Sequence, residues 1–150
     1  MTPRPALALG FAGLVPFVWG ALTVLVPALA EAGATLFGPR LVGVPVLVGY
    51  GTIILCFMGG VLWGFATRAE PAMQWKAYGT SVLPALWVFF TVGGTLASSL
   101  SALFVGFFAM LSLDLQFGQW RLTPPWWIGF RIVLTLVVMV CLGIGFAFGR

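Results

Sequence analysis

The sequence predicts an all-α, polytopic membrane protein with about five transmembrane helices in one bundle. Of its 150 residues, 61% are hydrophobic and only 7% are charged, whereas an average globular domain is about 25% charged. Seven basic and three acidic side chains cannot cover the surface of a soluble domain. The high hydrophobicity also excludes intrinsic disorder. Long apolar runs alternate with short polar connections, and a helix of about 20 apolar residues crosses a bilayer.

The first two spans are predicted at residues 6–30 and 41–67. Pro16 falls inside the first, and a membrane helix with packed neighbours tolerates a proline. The run Ala28-Leu29-Ala30 imitates the cleavage site of a secretory signal. However, the apolar run before it is longer than the roughly 7–15 residues of a signal core, so we expect an uncleaved first span.

The other three spans are predicted from a long uncharged stretch and the segment after it. Residues 77–113 carry no charge, and a straight helix of that length would be on the order of 55 Å, too long for one crossing. Small residues around Gly93 and Ser98 predict a tight hairpin between spans at 79–96 and 99–117. The fifth span is predicted at 126–148. No loop is long enough for an independent core, so residues 1–150 are expected to form a single transmembrane domain.

The net charge of +4 is interpreted as a topology signal. The basic residues are scattered singly, so we expect them to contact membrane lipids and do not expect nucleic acid binding. Five spans put four basic residues on one side and two on the other, and the positive-inside rule then predicts a cytoplasmic N-terminus and a periplasmic C-terminus. The first side holds Arg4, Arg68, Lys76 and Arg121, and the second holds Arg40 and Arg150.

Asp114 and Arg131 are the ionisable residues within predicted spans, where each costs about 2.5–3.5 kcal/mol at the bilayer centre. The spans are antiparallel and joined by a short loop, so both side chains are expected at similar depth, where an ion pair offsets the cost. Three interpretations stay open: a structural pin between the last two helices, a proton or anion relay, or two groups that reach the interface separately.

Span two carries Gly59, Gly60 and Gly64 in a Gly-x-x-x-Gly spacing, which lets helix backbones approach closely. Packing within the chain is favoured over homodimerisation. The spacing does not match a phosphate-binding loop.

Most tryptophans are expected near the cytoplasmic face. They are interpreted as an aromatic belt at the headgroup level or, alternatively, as a surface for a partner or a flat ligand such as a quinone. The set consists of Trp63, Trp75, Trp87, Trp120, Trp126 and Trp127.

Catalytic and cofactor chemistry has little support in the composition. The chain has no histidine, which excludes imidazole-based metal, haem and triad sites. Cys56 and Cys141 stand alone inside apolar runs and are interpreted as small buried hydrophobes. We therefore expect no enzyme, no metal and no cofactor.

Residues 50–64 match the pattern Y-G-x-x-x-L-x-F-x-G-G-x-x-W-G, and Asp114, Trp126-Trp127, Arg131 and Leu134-Thr135 form a second signature. Together with Pro3-Arg4 before span one, these stretches resemble a family of small bacterial inner-membrane proteins of unknown function that includes a related animal mitochondrial transmembrane protein. The resemblance covers nearly the whole chain. It implies a helical inner-membrane protein and, with the short segment before span one, favours a bacterial membrane.

Three functions follow as hypotheses. The first is a non-catalytic accessory subunit or assembly factor that packs against other integral membrane subunits of a respiratory or photosynthetic complex. The second is a small transporter or channel that uses Asp114 and Arg131 as a polar gate. The third is a quinone or cofactor binder at the tryptophan-rich face.

Overall fold

A computed structural model describes residues 1–149 of the chain. Within that range the protein is helical, with one 3-10 turn at Pro39–Leu41 and no β-strand. Arg150, which the sequence analysis assigned to the periplasmic side, lies outside the described residues. The α-helices are α1 (Arg4–Ala12), α2 (Val15–Leu25), α3 (Pro27–Phe37), α4 (Gly43–Ala66), α5 (Pro71–Ser81), α6 (Leu83–Thr91), α7 (Leu96–Gln119) and α8 (Trp127–Phe148).

Four segments are long and apolar enough to cross a bilayer: Arg4–Leu25, which combines α1 and α2, and the helices α4, α7 and α8. The pair α5 and α6 packs along α4 as a kinked fifth segment. The predicted fold class, an all-helical polytopic membrane protein with about five such segments, is confirmed. The chain is a membrane protein.

Prolines divide the N-terminal part of the chain. Pro16 has no N–H to donate to the carbonyl of Ala12, and α1 ends at Ala12. Val26 has an extended backbone (φ −120°, ψ 96°) because a residue that precedes proline avoids the helical region. The predicted first span of 6–30 is therefore too long, since the membrane helix ends at Leu25 and α3 continues in a new direction.

The predicted third span of 79–96 is replaced by two short helices. Pro84 interrupts the helical hydrogen bonding, so α5 ends at Ser81 and α6 begins at Leu83. Helix α5 already starts at Pro71, in the connection between the predicted spans 41–67 and 79–96. The predicted chain reversal is present: Gly93 has φ +134°, which a residue with a Cβ rarely adopts.

The fourth helix crossing starts earlier than the predicted residue 99. The Thr95 hydroxyl accepts a hydrogen bond from the backbone N–H of Ser98 at 3.1 Å, which is an N-cap. Helix α7 therefore begins at Leu96. The second and fifth predicted spans agree closely with α4 and α8.

The long helices meet at three depths in the bundle. At one end, Phe65 of α4 packs edge-on against Trp127 of α8 with ring centroids 5.0 Å apart. In the middle, Gly51 lies against Leu103 and Phe17. Gly145 lies against Leu47 at the opposite end. The core therefore runs the length of the bundle.

A polar contact fixes α2 to the turn before α4. The Trp19 indole donates to the carbonyl of Leu41 at 2.7 Å. The backbone N–H of Gly43 donates to the Thr23 hydroxyl at 2.7 Å. These bonds satisfy backbone groups at a helix start that would otherwise lack partners.

The three glycines predicted as the packing surface of α4 have different surroundings. A Cβ at Gly59 would lie 2.9 Å from the carbonyl oxygen of Ser81, so α4 and α5 approach closely there. At Gly60 and Gly64 a Cβ would meet no atom of residues 1–149 within 4 Å. Packing within the chain therefore uses Gly59, and the predicted role does not extend to Gly60 and Gly64.

Gly59→Ala is expected to lower the free energy of unfolding by about 1–3 kcal/mol, because the new methyl group would displace the α5 backbone. Gly60→Ala is the matched control, expected to be neutral or stabilising by up to about 1 kcal/mol because its site is open. The measurement is reversible unfolding in mixed micelles. Equal stability of the two variants would contradict the close approach at Gly59.

Candidate functional site

Asp114 and Arg131 form an ion pair inside the bundle. Arg131 Nε donates to Asp114 Oδ2 at 2.8 Å. Asp114 is fully buried and Arg131 is 5% exposed. Asp114 lies near the end of α7 and Arg131 near the start of α8, so these antiparallel neighbours bring the two side chains to the same depth. The structure thus brings together the two residues singled out from the sequence.

Trp127 supplies the second hydrogen bond to the Asp114 carboxylate. Its indole Nε1 donates to Asp114 Oδ1 at 2.7 Å, so each oxygen of the carboxylate accepts one hydrogen bond. The Arg131 guanidinium carbon lies 5.9 Å from the centroid of the Trp127 ring, within the range of a cation–π contact. The sequence predicts Trp127 in the interfacial belt and gives no sign of its bond to Asp114.

Two polar atoms beside this pair are not satisfied. Arg131 Nη2 and Thr135 Oγ1 are buried and have no hydrogen-bond partner within the described residues. The two residues are four positions apart on α8, so their side chains share one face of the helix. A buried polar group without a partner costs about 1–3 kcal/mol. These two atoms therefore have the capacity to form a hydrogen bond with a further ligand.

Five of the six tryptophans assigned to one face lie at the bundle end near the ion pair. Lys76 Nζ lies 5.1 Å from the Trp120 ring centroid, and the ring centroids of Trp63 and Tyr78 are 4.6 Å apart with the rings tilted by 59°. Trp126 contacts Trp127 at 5.8 Å, whereas the side chain of Trp75 is 92% exposed.

The prediction that Trp87, the sixth tryptophan, lies near the cytoplasmic face is wrong. The Trp87 indole donates to the carbonyl of Ala102 at 2.8 Å, and the ring lies against Gly106 of α7. Because Pro84 starts a separate helix, α6 carries Trp87 toward the middle of the bundle and away from the headgroup level.

The described residues form neither a cluster of metal ligands nor a disulfide. Among residues 1–149, no cluster of three or more His, Cys, Asp or Glu side chains could hold a metal ion. Cys56 and Cys141 are both free thiols, the first half-buried and the second buried.

The four long apolar segments define this chain as a small polytopic membrane protein, and the cluster of Asp114, Arg131 and Trp127 joins two of them. The family described as "Protein of unknown function (DUF3429)" matches residues 2–147, and the chain belongs to that family. Transmembrane protein 69 of Xenopus tropicalis is 32% identical over 151 residues, which cover 93% of this chain and 53% of the relative. The chain thus spans about half the length of this curated relative. No solved structure matches it. The resemblance inferred from the sequence, including an animal relative, is confirmed.

Loss of one member of the ion pair is expected to destabilise the bundle strongly. Asp114→Leu leaves the Arg131 charge buried without a counter-ion, and Arg131→Met does the same to Asp114. Each should cost about 3–5 kcal/mol. The double variant should cost clearly less than the sum, because a buried pair replaced by apolar side chains of similar size is often near neutral. The cycle is measured by unfolding in mixed micelles.

Glu31→Gln is the control for this cycle. Glu31 is an exposed carboxylate on α3, so its removal should change stability by no more than about 0.5 kcal/mol. If the losses in free energy of unfolding of the two single variants simply add in the double variant, the Asp114 and Arg131 side chains do not stabilise each other.

Proposed function

We propose that the protein is a non-catalytic accessory subunit or assembly factor that packs against other subunits of a larger inner-membrane complex, respiratory or photosynthetic. The carrying observation is an apolar groove of about 460 Å³ between α6 and α7. Its lining includes Leu83, Trp87, Phe90, Ala109, Met110 and Leu113.

The groove offers a partner helix an apolar surface that includes one small exposed residue, Ala109. The Trp87 indole and the Thr91 hydroxyl are both engaged in hydrogen bonds, to Ala102 and Trp87 carbonyls, so neither needs a polar partner. Ala109 is small and exposed, whereas Gly106 is already covered by Trp87 and Leu55. Membrane helices associate chiefly through close van der Waals packing at small residues, and this surface suits a transmembrane helix of another subunit.

The ion pair supports a structural role over a relay. Both oxygens of Asp114 accept hydrogen bonds from side chains of α8, which holds α7 and α8 together. A proton relay needs a carboxylate that can change partners, whereas this one is fully buried.

We also propose a bacterial inner membrane with a cytoplasmic N-terminus. Support comes from the positions of the basic residues: Arg68 follows α4, Lys76 contacts Trp120, and Arg121 follows α7, all at the bundle end where α1 begins. Arg40 lies in the turn at the opposite end. The excess of basic residues at one end is the pattern that the positive-inside rule assigns to the cytoplasm.

This orientation predicts one-sided labelling of introduced cysteines. Gln119→Cys should react with a membrane-impermeant maleimide in inverted vesicles, which expose the cytoplasmic face, and should not react in intact spheroplasts, which expose the periplasmic face. Glu31→Cys, at the opposite end, should react only from the periplasmic side. The reverse pattern would overturn the orientation.

The accessory function predicts that filling the groove releases the protein from its complex. Ala109→Trp places an indole between α6 and α7 and should reduce co-migration with a large complex on native gels at least about tenfold, a change of about 1.4 kcal/mol. Ala147→Trp is the matched control, since Ala147 is an exposed alanine on α8 outside the groove. Both variants should accumulate to the same level in the membrane.

The wild-type protein, extracted from its own membrane in mild detergent, should migrate with other subunits that mass spectrometry identifies. Migration alone would contradict the accessory function. Proton or ion flux in liposomes that Asp114→Asn abolishes would then support the transporter alternative.

A further inference from the structure

A second cavity, separate from the α6–α7 groove, lies between α1, α2, α4, α7 and α8. Its volume is about 130 Å³, roughly ten times the minimum for one water molecule. Leu9 and Phe57 are among its lining residues, with side chains 75% and 63% exposed. Because these are residues of membrane-crossing helices, the cavity opens sideways, toward the lipid. We call it the lateral cleft.

Each of the two polar side chains that line the lateral cleft carries an atom without a hydrogen-bond partner among the described residues. Arg131 and Thr135 both line it, and Arg131 Nη2 and Thr135 Oγ1 are two of the three buried side-chain atoms that lack a partner in the described part of the chain. Arg131 is 5% and Thr135 is 3% exposed. The rest of the lining consists of glycine and apolar side chains such as Phe17, Met58 and Val138. Two hydrogen-bonding side chains therefore line one cavity whose other walls are apolar.

Charge selects among possible occupants of the lateral cleft. The Arg131 charge is already balanced by Asp114 at 2.8 Å. A second anion would be close to the Asp114 carboxylate and would have to be desolvated among apolar side chains, which is costly. A neutral oxygen acceptor needs no counter-charge and accepts hydrogen bonds from a guanidinium N–H and from a hydroxyl.

We propose that the lateral cleft binds the carbonyl end of a neutral lipid-soluble molecule. Arg131 Nη2 and the Thr135 hydroxyl donate to the carbonyl oxygen, and the apolar body of the ligand leaves between Leu9 and Phe57 into the membrane. A quinone ring and the ester group of a lipid both supply this chemistry.

Binding is tested on the full chain, purified in a maltoside detergent that has no carbonyl group. The probes are a benzoquinone with a decyl tail, methyl palmitate, and hexadecane as the carbonyl-free control. Native mass spectrometry titrations give a Kd for each probe. Binding of the quinone or of the ester, with hexadecane at least about tenfold weaker, supports the proposal, and the tighter of the two identifies the carbonyl source.

Two variants locate the bound probe. Thr135→Val removes one donor with little change in shape and should weaken binding about fivefold, the equivalent of one neutral hydrogen bond. Thr52→Val is the matched control: Thr52 Oγ1 is also buried and without a partner among residues 1–149, but Thr52 does not line the lateral cleft. Its Kd should stay at the wild-type value.

Gly13→Leu provides an independent test. Gly13 lines the lateral cleft and has helical backbone angles (φ −64°, ψ −15°), so a leucine fits the backbone and fills the space. It should abolish carbonyl-probe binding while the protein remains folded. Equal affinity for all three probes, or binding that neither Thr135→Val nor Gly13→Leu changes, would overturn the proposal. Failure of every probe to bind would mean that the lateral cleft holds water only, which would also overturn it.

Discussion

The buried ion pair between Asp114 and Arg131 is the interaction on which the rest of the bundle depends. Each charge alone would cost several kcal/mol inside a membrane, so each is stable only when the partner helix is docked. Trp127 adds a second hydrogen bond to the carboxylate and, through its contact with Phe65, connects the pair to α4. This one cluster thus fixes the positions of α4, α7 and α8 relative to one another along the bundle.

The prolines set a second constraint, which acts on the shape of the bundle. Pro16, Pro27 and Pro84 each separate helices at points where a straight helix would otherwise continue. The break at Val82 lets α6 lean across α7, and this leaves the apolar groove beside Trp87. The break between α1 and α2 leaves space beside Gly13, where the lateral cleft forms. The two proposed binding surfaces are therefore consequences of helix breaks, and no residue lines both of them.

The same cluster connects stability with the proposed ligand chemistry. Arg131 donates to Asp114 through Nε, which leaves Nη2 buried without a partner on a side chain that lines the lateral cleft. The Arg131 side chain thus both joins α8 to α7 and supplies a hydrogen-bond donor at the lateral cleft. The α6–α7 groove contains none of this polar chemistry, which is consistent with a separate role in contacting another subunit.

The sequence by itself determined the membrane class, the order of the long helices and the similar depth of Asp114 and Arg131, and it left open whether the two side chains pair. Apolar run length sets a membrane helix, and two opposite charges at equal depth in adjacent antiparallel helices have few other partners. Only the tertiary structure decided which glycine packs, where Trp87 lies and that Thr135 faces a cleft. Gly59 and Gly60 are adjacent and identical in sequence, but only Gly59 meets the α5 backbone. That difference depends on how neighbouring helices rotate and bend, which helical periodicity within one segment does not specify.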